Sequence, residues 1–219
     1  MALAFQKNID ATTSFAVWKL EENAEELYAQ LQLDEREKSY LENLKHDKRY
    51  LHWLGTRVLL RKMINTPDYI DCQVDEHGKP YLVNFPHHIS LSHSYDYAAV
   101  MISDTKLVGI DIEIVKHKIE RIAGKFMTDE ELSFIDSASS IEHLYVCWCA
   151  KEAIYKLQGR STISFKDHIH LAPFAYRDSG KLSATLEAPG IYWPFEVHFE
   201  KFDGYMLAYV SSEEDLYAK

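Results

Sequence analysis

Leu107-Val108-Gly109-Ile110-Asp111-Ile112-Glu113-Ile114-Val115 lies near the middle of a 219-residue chain, and its alternation organises the text on either side. A strand turns successive side chains to opposite faces, so Ile110 and Ile112 line one face and Asp111 and Glu113 the other. The two carboxylates then stand about 7 Å apart along the strand. Like charges that close repel each other, and in a cleft they favour a bound cation; hard oxygen ligands select magnesium or calcium over zinc. A solvated edge of an amphipathic strand has the same pattern, so the motif acquires meaning only from its neighbours.

Upstream, residues 87–93 (HHISLSH) and 95–103 (YDYAAVMIS) read as strands, and His77-Gly78-Lys79-Pro80 as a turn entering a short strand. Residues 22–44 carry apolar side chains at helical intervals among many charges and predict two surface helices. Residues 46–64 are apolar on several sides and predict a helix packed into the domain, ended by Asn65-Thr66-Pro67. Downstream, helical text from Ile119 to Gln158 precedes strands near 167–174, 182–187, 191–201 and 205–211, the last two forming a hairpin around Asp203-Gly204. SYDYAAVMIS (94–103) and KFDGYMLAYVSS (201–212) share the same strand end, turn and small-residue strand. The expected fold class is α+β, with two similar halves, residues 1–104 and 105–219, each a small antiparallel sheet packed on helices.

With 47% hydrophobic residues the chain has enough apolar material for a real core. No apolar run approaches the roughly 18 residues of a membrane span, and no basic-then-apolar leader opens the sequence, so a cytoplasmic protein without membrane contact is expected. Cys72, Cys147 and Cys149 have no framework or zinc spacing and read as reduced packing thiols. A net charge of −10 argues against a nucleic-acid partner. Within that acidic chain, Lys45, Lys48, Arg49, Arg57, Arg61 and Lys62 form a basic island opposed only by Asp47.

Two further segments can carry chemistry. Trp148-Cys149-Ala150-Lys151-Glu152-Ala153-Ile154-Tyr155-Lys156 has helical periodicity, with Glu152 and Lys156 as i, i+4 neighbours and Lys151 with Tyr155 on the adjoining stripe. Alone, such a pair is a surface salt bridge worth about 0.3–0.5 kcal/mol. Leu91-Ser92-His93-Ser94 ends a strand, where a histidine flanked by hydroxyls can donate to phosphate oxygens.

Taken in order, G-K-P (78–80), S-H-S (92–94), G-I-D-I-E (109–113) and W-C-A-K-E-A-I-Y-K (148–156) resemble the 4'-phosphopantetheinyl transferase superfamily. Phe126-Met127-Thr128-Asp129-Glu130-Glu131 is similar to that family's FFSxxE segment, with Met127 replacing the second Phe. The match runs over about residues 77–160, and the chain's length resembles the Sfp type, in which two similar halves are fused, rather than the half-length type.

The resemblance implies two pseudo-twofold-related halves, the first holding coenzyme A and the second the metal carboxylates. It implies transfer of the 4'-phosphopantetheine arm of coenzyme A to a serine of an apo acyl or peptidyl carrier protein, with Mg²⁺ as cofactor and adenosine 3',5'-bisphosphate as the leaving product. Asp111, Glu113 and Glu152 would hold Mg²⁺. Glu152 would be the general base and Lys156 would stabilise the leaving group. Ser92 and His93 would meet the pyrophosphate, Lys151 the phosphates, Lys79 the nucleotide side, and Arg49 with Arg57 the 3'-phosphate. Lys45 and Lys48 are expected on a face that docks the acidic carrier, and a fused pair of halves implies a monomer. Two other readings use the same residues: a non-catalytic module binding coenzyme A or carrier, and a metal-dependent phosphodiesterase.

Overall fold

The computed structural model describes residues 2–44 and 48–213. Strands β1 (Ala2–Asn8), β2 (Thr13–Lys19), β5 (His88–Ser94) and β6 (Tyr97–Ser103) form an antiparallel sheet in the order β1-β2-β6-β5. A second antiparallel sheet runs β7-β11-β10-β9-β8, from β7 (Leu107–Ile114), β8 (Ile169–Leu171), β9 (Ser179–Ala188), β10 (Ile191–Phe202) and β11 (Tyr205–Ser212). β3 (Cys72–Val74) and β4 (Pro80–Leu82) pair separately. The fold is α+β, with small antiparallel sheets packed on helices.

Period-two alternation explains the layering. In the first sheet Ala16, Trp18, Ala98 and Val100 pack against helix α3 (Lys48–Ile64), while Phe15, Val17, Ala99 and Met101 point the other way. In the second, Met206, Ala208 and Val210 pack against α6 (Ser140–Gln158), while Leu207 and Tyr209 join Ile110 and Ile112 in facing the first sheet. Helix, sheet, sheet and helix therefore stack around three apolar clusters. β6 is buried on both faces for this reason, each fully enclosed aliphatic side chain contributing about 1.5–3 kcal/mol.

The two segments with matching sequence build matching turns. Tyr95-Asp96 joins Ser94 to its partner Tyr97, and Asp203-Gly204 joins Phe202 to Tyr205. Tyr95, Asp203 and Gly204 all have positive φ. The rings of Tyr97 and Tyr205 meet edge to face at 4.7 Å.

Residues 22–44 form the two anticipated helices, α1 (Ala24–Tyr28) and α2 (Glu35–Asn43), each opened by a capping box, Asn23 with Glu26 and Asp34 with Glu37. β1 and β2 were not anticipated, although Thr13–Lys19 is almost continuously buried because it lies inside the sheet. The helical text from Ile119 to Gln158 is divided into a 3-10 turn at His117–Arg121, α4 (Ala123–Phe126), α5 (Asp129–Ser133), a second 3-10 turn at Ser137–Ser139, and α6. Thr128 and Asp136 cap new helical starts, which breaks the run. Ser164 likewise starts α7 (Phe165–His168), leaving β8 shorter than expected. All three cysteines are buried and free. Among the described residues no helix is long and apolar enough to cross a membrane.

Candidate active site

Gly109 brings β7 and α6 together. A Cβ at this position would stand 1.9 Å from the carbonyl oxygen of Ala153, so only glycine allows the helix backbone so close to the strand. That approach sets the α6 face carrying Glu152 and Lys156 against the β7 face carrying Asp111 and Glu113. Lys156 Nζ donates to Asp111 Oδ1 at 2.7 Å, to Ser92 Oγ at 2.9 Å and to the Ile110 carbonyl at 3.2 Å. Ser92 Oγ donates to Asp111 Oδ1 at 2.9 Å, and Ser94 Oγ to Glu113 Oε2 at 2.8 Å. Asp111 is 4% exposed, and its Oδ2 is buried without a hydrogen-bond partner among the described residues.

Charge concentrates here. Burial and then Asp111 push the Glu113 pKa upward, and burial and then Asp111 do the same to Glu152, against the pull of Lys156. Burial opposes the charge on Lys156, but Asp111 and Glu152 outweigh it and its pKa stands above the ordinary lysine value. Two carboxylates whose proton affinity the neighbouring Asp111 raises, beside an orphaned Asp111 oxygen, fit a cation better than they fit each other. Among the described residues no three acidic, histidine or cysteine side chains close on a single point. The Lys156 ammonium takes the place of such closure on Asp111.

His93 projects from the opposite face of β5 to Ser92 and Ser94 and stacks on His52, ring centroids 4.3 Å apart. His52 Nε2 donates to the Tyr95 carbonyl. Burial, then His52 and Lys156, lower the His93 pKa to about 4. The Lys156 charge acts in the same direction as burial, and His93 is neutral at neutral pH. It lines a cavity of about 490 Å³ together with Arg49, Trp53, Arg57, Gly78 and Leu91. The Arg57 guanidinium lies 4.8 Å from the Trp53 ring centroid, and its Nε is buried without a hydrogen-bond partner among the described residues. The basic island is thus divided. Arg49 and Arg57 face this cavity, Arg61 binds the carbonyls of Pro67 and Asp68, and Lys62 stands over Trp18. Lys45 lies outside the described residues.

Residues 107–210 match the family model of the 4'-phosphopantetheinyl transferase superfamily. That stretch, just under half of the chain, is similar to the superfamily. Among similar proteins are a Haemophilus influenzae protein provisionally named 4'-phosphopantetheinyl transferase, 33% identical over 58% of this chain and 58% of its own, and a Bacillus subtilis 4'-phosphopantetheinyl transferase, 29% identical over 68% and 66%. The 4'-phosphopantetheinyl transferase Sfp of Bacillus subtilis is 26% identical over 72% of each chain. The matched stretch thus spans less than two thirds of the first two relatives.

Within this α+β fold, the site residues anticipated from sequence fall into two groups. Asp111, Glu113, Glu152, Lys156, Ser92 and His93 come together, with Arg49 and Arg57 in the adjoining cavity. Lys151 does not join them. It is 0% exposed, and its three protons go to the Phe126 carbonyl (2.8 Å), Glu131 Oε2 (2.7 Å) and the Phe165 carbonyl (3.0 Å), leaving none for a phosphate. One helical residue before Glu152, it is rotated about 100° away, into the packing between α6, α5 and α7. Glu131, the acid of the FFSxxE-like segment, also closes the α5 capping box with Thr128 and accepts from Leu171 N. That segment and Lys151 are thereby one buried structural device.

Lys79 is also placed differently: Nζ donates to the Leu157 carbonyl at the end of α6, and only its neighbours Gly78 and Pro80 line the cavity. The unpaired carbonyls and negative dipole end at a helix C-terminus attract a nearby cation. Ser90, Ser94, His52 and Gly109 went unassigned in the sequence; the Ser-x-Ser-x-Ser spacing was the signal available for the first two.

Proposed function

We propose that the chain transfers the 4'-phosphopantetheine group of coenzyme A to a serine of an acyl or peptidyl carrier protein, releasing adenosine 3',5'-bisphosphate. The observation that carries this is the joint between β7 and α6, where Asp111, Glu113, Glu152 and Lys156 meet beside the Arg49–Arg57–His93 cavity. The cavity suits an anionic, partly apolar ligand, with arginines for phosphate and Trp53 and Leu91 for the remainder.

Asp111, Glu113 and Glu152 are the residues that would hold Mg²⁺, which when bound neutralises charge on the transferring phosphoryl group. Lys156 is charged throughout the physiological range and stabilises the departing bisphosphate electrostatically. Neutral His93 is suited to hydrogen-bond a pyrophosphate oxygen. Burial raises the basicity of Glu152, which fits acceptance of the carrier serine's proton. Tyr95, at a strained positive φ next to Ser94, carries Lys116 3.5 Å and Lys48 5.0 Å from its ring centroid. This exposed cationic corner near Glu113 supports docking of an acidic carrier there. The proposal includes a monomer acting in the cytoplasm, with halves related by a pseudo-twofold.

The test is incubation with coenzyme A, Mg²⁺ and a panel of apo carrier proteins, followed by mass spectrometry for added phosphopantetheine. Modified carrier is the expected result. A folded protein that modifies none of a broad panel overturns the proposal, and coenzyme binding without turnover would instead identify a binding module.

A further inference from the structure

We infer that Ser90, Ser92 and Ser94 of β5 form a hydroxyl ladder that joins the two sheets, and that Ser92 and Ser94 are positioning residues for the carboxylates of β7. β5 ends the first sheet and β7 ends the second, and the two edges are not paired through their backbones. β11 occupies one edge of β7, which leaves the amides of Ile110, Ile112 and Ile114 on the other. An edge with unpaired amides buried in the interior is costly. Each of these three amides donates to a serine oxygen instead: Ile110 N to Ser90 Oγ at 3.0 Å, Ile112 N to Ser92 Oγ at 3.2 Å and Ile114 N to Ser94 Oγ at 3.1 Å.

The spacing explains the residue choice. Amides on one edge of a strand and side chains on one face of a strand both repeat every second residue, so Ser-x-Ser-x-Ser matches three successive amides. The serines are 2%, 5% and 6% exposed, so water does not compete for these bonds. β5 acts through both faces, with Leu91 and His93 on the cavity and the serines on β7.

A hydroxyl has one proton to donate and two lone pairs to accept with. Ser92 Oγ uses all three, accepting from Ile112 N and Lys156 Nζ and donating to Asp111 Oδ1. It has no proton left for a coenzyme phosphate, so the side chain acts on the coenzyme through Asp111 and Lys156. Ser94 Oγ accepts from Ile114 N and donates to Glu113 Oε2, fixing that carboxylate's rotamer. Among the described residues Ser90 bonds to no carboxylate and serves the seam alone.

The positioning role rests on the proposal that the carboxylates hold a cation; the ladder does not. Both are tested on the full chain by amide hydrogen exchange and by Mn²⁺ titration followed by electron paramagnetic resonance. Ser94→Val and Ser94→Thr have the same shape and differ in the hydroxyl, which guards against a simple folding defect. Ser94→Val should expose the Ile114 amide to exchange and weaken Mn²⁺ binding roughly 10–100-fold, the usual effect of losing a partner behind a metal ligand, while Ser94→Thr retains both properties. Ser90→Ala should speed exchange at Ile110 and leave Mn²⁺ affinity unchanged. Protection of Ile114 persisting in Ser94→Val overturns the ladder. Unchanged Mn²⁺ affinity in Ser94→Val, or an equal loss in Ser90→Ala, overturns the positioning role. If the parent protein binds no Mn²⁺, the cation proposal fails and the positioning role with it, and amide exchange at residues 110, 112 and 114 still decides the ladder.

Discussion

Replacing Gly109 by alanine adds one methyl group at the contact on which the site depends. The new Cβ would lie 1.9 Å from the Ala153 carbonyl oxygen, 2.9 Å from its carbonyl carbon and 3.0 Å from Leu157 Cβ. Ordinary contact needs about 3.5 Å, so α6 and β7 must separate by roughly 1.6 Å. The obstacle is helix backbone, which cannot rotate out of the way as a side chain would. Overpacking of a core costs about 1–3 kcal/mol, and a rigid obstacle places this substitution near 3, a large part of the 5–15 kcal/mol by which domains are stable. The same separation strains the 2.7 Å bond from Lys156 to Asp111, and a displacement of about 1 Å in a catalytic group can lower turnover about 100-fold. Urea unfolding and kcat/KM for carrier modification measure the two effects. Gly124→Ala is the control, because nothing lies within 4 Å of its added methyl. A Gly109→Ala protein with the parent's unfolding midpoint and turnover would refute the close-approach reasoning.

Lys151→Met should lower stability by about 3–5 kcal/mol, the usual result of stranding one member of a buried ion pair, here Glu131. Adding Glu131→Leu should recover part of that loss in denaturant, and a coenzyme KM that rises in the still-folded single variant would restore Lys151 to the phosphate site. Arg57→Ala removes charge-assisted contacts worth about 1.5–3 kcal/mol, so the coenzyme Kd by calorimetry should rise about tenfold or more; an unchanged Kd would exclude Arg57 from coenzyme binding. His143 is fully buried, with Nδ1 accepting from Asp136 N and Nε2 without a hydrogen-bond partner among the described residues, and burial lowers its pKa. The unfolded chain therefore binds a proton below about pH 6.5 that the folded chain resists, so this contribution to stability is complete above that pH and is lost as pH falls toward the lower folded value. Unfolding midpoints measured between pH 7.5 and 5 should fall less steeply in His143→Leu than in the parent, and parallel profiles would contradict the assignment.

Much of the site was legible because its parts obey local periodicities. Period two placed Asp111 and Glu113 on one face of a strand, and the 3.6-residue turn placed Glu152 and Lys156 on one face of a helix. The two-residue turns at Tyr95-Asp96 and Asp203-Gly204 were visible for the same reason. The early strand β2 was harder to see because burial on both faces of Thr13–Lys19 erases the polar alternation that marks a half-buried strand. Helix breaks between Ile119 and Ser139 depended on caps at Thr128 and Asp136, single residues that the surrounding helical composition obscured.

The lysines of the Lys151–Lys156 motif mark the boundary between the two kinds of information. Sequence alone established that both lie on one helix, five residues apart, since that requires only helical geometry. Which of them meets the carboxylates depended on the rotation at which α6 packs, and Gly109 and Ala153 set that rotation through a contact between residues 44 positions apart. The same docking turned Lys151 toward Glu131 and Lys156 toward Asp111. Long-range packing likewise assigned the serines of β5 to the amides of β7, because no local pattern states which edge a free hydroxyl will find.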